Sequence, residues 1–226
     1  MVFSPRRIFS IKLLLNNVEI EKAHTCKYLG IYLDDQLNWK HHIDYICEKL
    51  VKFTGIFYRL RSKISCEWIR NIYCSFVYPI LLYGIKIYAN TCVTYLDKLV
   101  KLNNKILRIL QKCPIRTHVL ELYTKLNVLP LYKLHSHQII LLVFKCLNYH
   151  LLPPLYANYF VLNAEVHDYN NRASTDLHVL GPRSTFGQKC IRYKGSMLWN
   201  RLPARLKLPS SILVVKCKIK EYLSSQ

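Results

Sequence analysis

Apolar residues recur in steps of three and four at Ile43, Ile46, Leu50, Phe53, Phe57 and Leu60, and again at Leu99, Leu102, Ile106 and Ile109, with Leu110 beside the last. A period near 3.6 puts each set on one side of a helix. The spacing predicts an amphipathic helix of about 20 residues after Asn38, and another over residues 94–113. Both faces must be covered, which commits the middle of the chain to helix packing. A shorter helix between them is expected to start near Ser65, a favoured N-cap type with Glu67 close behind. It carries Trp68, Ile69, Ile72, Tyr73, Phe76 and Val77 until Pro79, which lacks a backbone donor and is expected to kink it.

On the N-terminal side, residues 8–15 and 18–20 flank Asn16-Asn17, a pair that tolerates left-handed backbone and predicts a hairpin. Residues 27–33 read as a further strand ending at Asp34. Beyond Pro114 a second unit begins. Residues 137–150 read as a buried helix (Ile139, Ile140, Leu142, Val143, Leu147), ended by Pro153-Pro154, which enforces extended backbone. Residues 163–183 mix Asn, Asp, Ser, Gly and Pro and read as a loop. The expected fold class is α+β: a short β portion over residues 1–37, a helical region over 38–113, and a basic α-rich region over 114–226.

With 226 residues and 51% apolar content, the chain is long enough for one large or two small cores. Its 33 Lys and Arg against 13 acidic residues give a net charge of +20. So large an imbalance implies an anionic partner, with nucleic acid the first candidate and an acidic membrane surface the second. No membrane span is expected, because the longest apolar stretch, residues 75–85, is about half the roughly 20 residues required, and Lys86 follows it. The N-terminus, with Arg6, Arg7 and Lys12, lacks the apolar length of a secretory leader. The expectation is a chain that is not secreted, in nucleus or cytoplasm. The nine cysteines are scattered without a C-x-x-C pair, which fits reduced thiols.

Two regions carry the cations in patterns of interest. Lys98, Lys101, Lys105, Arg108 and Lys112 also fall in steps of three and four, forming a one-sign stripe around 20 Å long with only Asp97 nearby. Solvated helices tend to mix charges, because like charges at i,i+4 repel. The stripe therefore points to phosphate contact, although basic surface helices without a ligand also occur. Residues 177–220 contain no acidic side chain, while Arg183, Lys189, Arg192, Lys194, Arg201, Arg205, Lys207, Lys216, Lys218 and Lys220 are cationic. Tyr193 and Trp199 sit among them. Interleaved rings and cations suit single-stranded nucleic acid; the alternative for Trp199, a core residue under a basic loop, is preferred.

Catalytic chemistry finds little support. Asp34-Asp35 resembles a polymerase metal pair, but two Mg²⁺ ions about 3.5–4 Å apart need carboxylates from two separate strands. Upstream there are only Glu19 and Glu21, and the Asp/Asn-rich stretch reads instead as a turn. No glycine pattern cradles phosphate, the histidines are dispersed, and no Ser or Cys sits in a nucleophile motif. Cys113 with His118, and His135 with His137, lack a second close pair for zinc.

The run Tyr28-Leu29-Gly30-Ile31-Tyr32-Leu33-Asp34-Asp35-Gln36-Leu37-Asn38-Trp39-Lys40-His41-His42-Ile43 resembles the segment just downstream of the catalytic centre in reverse transcriptases of non-LTR retrotransposons (jockey-like, LINE-type). Met1-Val2-Phe3-Ser4, Tyr78-Pro79-Ile80-Leu81-Leu82-Tyr83-Gly84, His167-Asp168-Tyr169-Asn170-Asn171-Arg172 and Leu198-Trp199-Asn200-Arg201-Leu202-Pro203 resemble further landmarks of that family, in its order. The chain departs at Asn171, where the family more often carries Thr. The resemblance implies the last palm strands, a helical thumb over residues 38–113, and a C-terminal region. It implies an RNA-directed DNA polymerase whose catalytic carboxylates and Mg²⁺ belong to an upstream palm and fingers segment missing from this chain. The chain itself would hold no cofactor and would bind RNA or an RNA–DNA primer–template without polymerising. A stand-alone nucleic-acid-binding protein and a decayed, non-functional fragment are the alternatives.

Overall fold

The computed structural model describes residues 14–19, 23–149, 158–166, 174–208 and 211–226. The chain is mainly helical with two short two-stranded sheets, an α+β architecture. It divides into two compact units, residues 1–122 and 123–226. Met1-Val2-Phe3-Ser4, Pro153-Pro154 and the run from His167 to Arg172 lie outside the described residues.

The first unit opens with the antiparallel hairpin β1 (Leu14–Leu15) and β2 (Val18–Glu19). Asn16 and Asn17 make its turn at φ of 50° and 61°, the left-handed values expected from this dipeptide. A second hairpin pairs β3 (Thr25–Tyr28) with β4 (Ile31–Asp34). This replaces the single strand expected over residues 27–33. Leu29 and Gly30 take φ of 46° and 79° and reverse the chain in the middle of what reads as one apolar run.

Helix α1 (Lys40–Leu60) buries His42, Ile43, Ile46, Leu50 and Phe57. Its entry is left-handed at both Leu37 and Trp39. Asp34 secures that entry: its buried carboxylate accepts the Asn38 N–H at 2.6 Å, and its carbonyl accepts the Leu37 N–H at 3.1 Å. Asp35 is turned elsewhere, with Oδ2 2.9 Å from His24 Nδ1. Within α1, Gly55 costs roughly 1 kcal/mol relative to Ala, and a Cβ placed there would meet nothing within 4 Å.

Helix α2 (Cys66–Ile72) starts after Ser65 as expected, without a side-chain capping bond, and runs through a π-helical turn at Tyr73–Val77 into α3 (Tyr78–Leu82). The wide turn falls just ahead of Pro79, where the missing N–H interrupts the ladder. Tyr83 then donates its hydroxyl to the Leu29 carbonyl in the β3–β4 turn. Gly84, at φ 69°, lies so near Ile31 that a Cβ would come within 2.7 Å of its Cδ1. After α4 (Ile85–Tyr88), α5 (Val93–Leu110) buries Leu96, Leu99, Asn103, Ile106, Leu107 and Leu110. The buried stripe is displaced from the expected one, because Leu102 and Ile109 are only half-buried. Asn103 is tolerated there since Tyr73 donates its hydroxyl to Asn103 Oδ1 at 2.9 Å.

The second unit begins within α6 (Leu120–Lys125), and its helix α7 (Leu131–Tyr149) is buried nearly all round. It begins before the expected residue 137, since the turn is already closed by the Leu134 N–H to the Pro130 carbonyl. Residues 163–183 are not wholly loop: α8 (Asn163–Val166) forms one turn, and Leu162 bridges Leu177. Helices α9 (Thr185–Gln188), α10 (Ile191–Asn200), α11 (Ala204–Lys207) and α12 (Ile212–Ser225) complete the unit. Gly195 lets α10 approach closely, since a Cβ would meet Phe160 at 2.9 Å and Val143 at 3.0 Å. Trp199 is buried, 6.3 Å from Phe144 between ring centroids, which is the core role.

His42 accepts the Tyr32 N–H at 3.4 Å and faces Tyr88. Burial, helped by the nearby Lys49 charge, lowers its pKa from 6.5 to about 4. An unfolded chain therefore takes up this proton first, so stability should fall as pH drops from 6.5 towards 4. The loss is on the order of 2 kcal/mol. Urea titrations across that window should show a steeper pH dependence for the wild type than for His42→Phe, and equal slopes would refute the assignment.

Candidate nucleic-acid interface

Asp44, near the start of α1, pairs with Lys98, near the start of α5, at 3.6 Å. The far ends of the same helices line one groove, so α1 and α5 run side by side in the same direction. This packing buries one face of α5 and turns the opposite face, with Lys101 and Lys105, to solvent. No acidic side chain pairs with Lys101 or Lys105 among the described residues.

The other members of the stripe have duties of their own. Lys98 shares its charge with Asp44 in an exposed pair that adds little stability. Arg108 donates its Nε–H to the Thr117 carbonyl at 3.2 Å, fastening the chain beyond α5 while its terminal nitrogens remain as donors. Lys112 lies past the end of the helix, which stops at Leu110 rather than continuing to residue 113. Its φ of 54° is left-handed; the Lys112 N–H reaches the Ile109 carbonyl at 3.2 Å and the Cys113 N–H the Arg108 carbonyl at 3.0 Å. That is a Schellman terminator with lysine in the position that glycine usually fills.

Across from α5, the last turns of α1 supply cations that sequence reasoning missed. Arg59 and Arg61 line the same groove as Lys105 and Arg108. Arg61 stacks on Tyr58, 4.0 Å from the ring centroid. Their placement at a helix C-terminus is favourable in itself, because the exposed carbonyls carry partial negative charge. The stripe on α5 was visible by period alone; the join to α1 depends on how the helices pair, and no local signal gives it. A second cluster was also missed: Lys27 of β3 and Lys49 lie 5.4 Å and 4.3 Å from the Tyr45 ring centroid. The Lys49 ammonium, first by hydrogen bonding, lowers the pKa of the exposed Tyr45 hydroxyl.

In the second unit Arg183, Lys189, Arg201 and Arg205 are exposed. Arg192 lies 5.8 Å from the Tyr159 ring centroid. Lys194, two positions on and so on another side of α10, is half-buried with Nζ 3.4 Å from His135 Nδ1. Burial lowers its pKa, with Lys189 adding to the effect. Lys207 pairs with Asp176 at 3.0 Å, and Lys220 donates to the Asn127 carbonyl at 2.6 Å. These cations are spread over several elements rather than one stripe. Trp199 cannot stack on a base from the core. Asn200 beside it donates to and accepts from the Leu177 backbone at 2.9 Å each, in the manner of a strand partner.

No group of three His, Cys, Asp or Glu residues gathers among the described residues, and none of their helices is long and apolar enough to cross a membrane.

The chain is similar to RNA-directed DNA polymerases of mobile elements. That from mobile element jockey of Drosophila melanogaster is 33% identical over 113 residues, which is 47% of this chain and 12% of that protein. The jockey polymerase of Drosophila funebris is 31% identical over 112 residues, again 47% of this chain and 12% of the relative. The probable polymerase from transposon X-element of Drosophila melanogaster is 28% identical over 102 residues, 44% of this chain and 11% of that protein. No protein-family model and no solved structure matches the chain. Nearly half of it is thus similar to non-LTR retrotransposon reverse transcriptases, while the matched stretch spans only 11–12% of these relatives' length.

The terminator of α5 makes a direct prediction. Lys112→Gly removes the left-handed strain of a side-chain-bearing residue and should stabilise the chain by up to about 1 kcal/mol. A urea midpoint below that of the wild type would show that the lysine side chain holds the turn instead.

Proposed function

We propose that the chain is the part of a retrotransposon reverse transcriptase lying downstream of its catalytic carboxylates, and that it holds nucleic acid rather than polymerising it. The observation that carries this reading is the face of α5 presenting Lys101 and Lys105, continued by Arg108, by Arg59 of α1 and by Arg61 just past the end of α1. Such a face gains affinity by releasing counterions from phosphate, whatever the base sequence. Under the resemblance, residues 38–113 act as a thumb against a primer–template or element RNA, and the hairpins of residues 1–37 are the end of a palm. Exposed Leu14, Leu15, Val18, Tyr28 and Leu29 support a further polymerase segment packing on those hairpins. In the second unit, Arg183, Lys189, Arg192, Arg201 and Arg205 are phosphate contacts of that unit's own in this reading, with Lys194 held back by His135.

The reading assigns Mg²⁺ to carboxylates of that other segment. Asp34 and Asp35 do not fit a metal pair, since the Asp34 oxygen is engaged by the Asn38 amide and Asp35 faces His24. Incubated with primer–template, nucleotides and Mg²⁺, the chain alone should extend nothing. A product that disappears in Asp34→Asn with Asp35→Asn would overturn this reading.

Binding itself is tested by fluorescence anisotropy across a salt series. Lys101→Ala with Lys105→Ala leaves the Arg108 clamp intact. It should weaken binding to duplexes of any sequence and flatten the slope of log affinity against log salt by about 2. An unchanged slope would remove these lysines from the interface.

A further inference from the structure

The groove between the last turns of α1 and the end of α5 has a volume of about 1020 Å³. That lies at the upper end of the range for sites that enclose small ligands. Its surface is chiefly apolar, with Gly55 and Tyr58 on the α1 side, Ile109 on the α5 side, and Pro114 and Ile115 beyond. Its charged members are Arg59, Arg61, Lys105 and Arg108, and no acidic residue lines it. The complementary ligand is therefore apolar and flat at its centre and anionic at its edges.

Resting on the reading of the chain as a nucleic-acid binder, we propose that this groove takes unpaired bases of a single strand, with the flanking phosphates on the four cations. A duplex hides its bases and offers phosphates outward, so an apolar hollow adds nothing to its binding. An unpaired base brings a π-face that stacks on aromatic rings or guanidinium planes. Tyr58 with Arg61 on its ring, 4.0 Å from the centroid, is a planar platform of that kind on the groove wall. Gly55 supplies an independent argument. It sits one turn before Tyr58 on the same side of α1, a poor helix former whose position has open space where a Cβ would go. Packing does not require glycine there, whereas a bare wall next to Tyr58 lets a flat ring reach the helix.

The test compares a fluorescent 12-nucleotide single strand with the same sequence as duplex, using the full chain at about 50 mM salt. The single strand should bind about 10-fold more tightly. Gly55→Leu, which fills the hollow, and Tyr58→Leu, which keeps an apolar side chain but removes the ring, should each weaken single-strand binding by about 5- to 30-fold. Duplex binding should stay within about two-fold. Gly55→Leu replaces a poor helix former with a good one, so its melting temperature should not fall, which separates a blocked groove from a damaged fold. Equal affinity for the two probes, or unchanged single-strand affinity in both variants, overturns the groove proposal while leaving the salt-dependent interface of Lys101 and Lys105 in place. Binding of neither probe overturns both. An acidic amphipathic peptide that binds the chain and is lost in Gly55→Leu, with oligonucleotide affinity untouched, would assign the groove to a protein partner and overturn the proposal.

Discussion

The first unit depends on two long helices, α1 and α5, lying parallel against each other. Parallel neighbours cannot be joined by a tight turn, so the chain must travel back along their length before α5 begins. Residues 61–92 make that return, and much of the irregular backbone of the unit serves it: the π-helical turn before Pro79, the left-handed Gly84, and Tyr83 reaching the Leu29 carbonyl. The same pairing decides which side of α5 is buried and therefore where its cations point. Asn103 is an exception within the seam, and Tyr73, on the returning segment, satisfies it.

The residues whose pattern resembles that of reverse transcriptases do structural work here. Tyr28-Leu29-Gly30 turns a hairpin, and Tyr83-Gly84 receives it, with no room at Gly84 for a side chain. Asp34 holds the strained entry to α1, and His42 lies neutral beneath the hairpin against Tyr88. In the second unit Trp199 fills the core, Asn200 pairs with the Leu177 backbone, and Leu202 is buried next to it. Residues of this kind speak to how the chain folds rather than to a chemistry that it performs.

What was legible in the sequence was what period and backbone preference dictate. Ile43, Ile46, Leu50 and Phe57 mark α1, Asn16-Asn17 its own turn, and Trp199 its place in the core. Much of the rest turned on single residues adopting conformations that their types disfavour. Leu29 bends left-handed beside Gly30 and splits one apparent strand into two; Lys112 does the same and ends α5 before the cationic pattern is complete. Arg59 and Arg61 belong to the candidate site only because α1 and α5 are parallel, a tertiary fact with no local signature. The early start of α7 escaped because its first turns carry Lys133, His135, Ser136 and His137 between the leucines, so the apolar run marks only the part from Ile139 onward.

Arg108 both fastens the chain beyond α5, through Thr117, and presents charge to the groove. Those two roles share one guanidinium and are therefore linked. Because the bond to Thr117 uses Nε, the terminal nitrogens can meet an anion with that bond still in place, so the anion and the segment carrying Ile115 are held by one side chain at once. The wall of the groove and its charge are thus tied together through a single guanidinium.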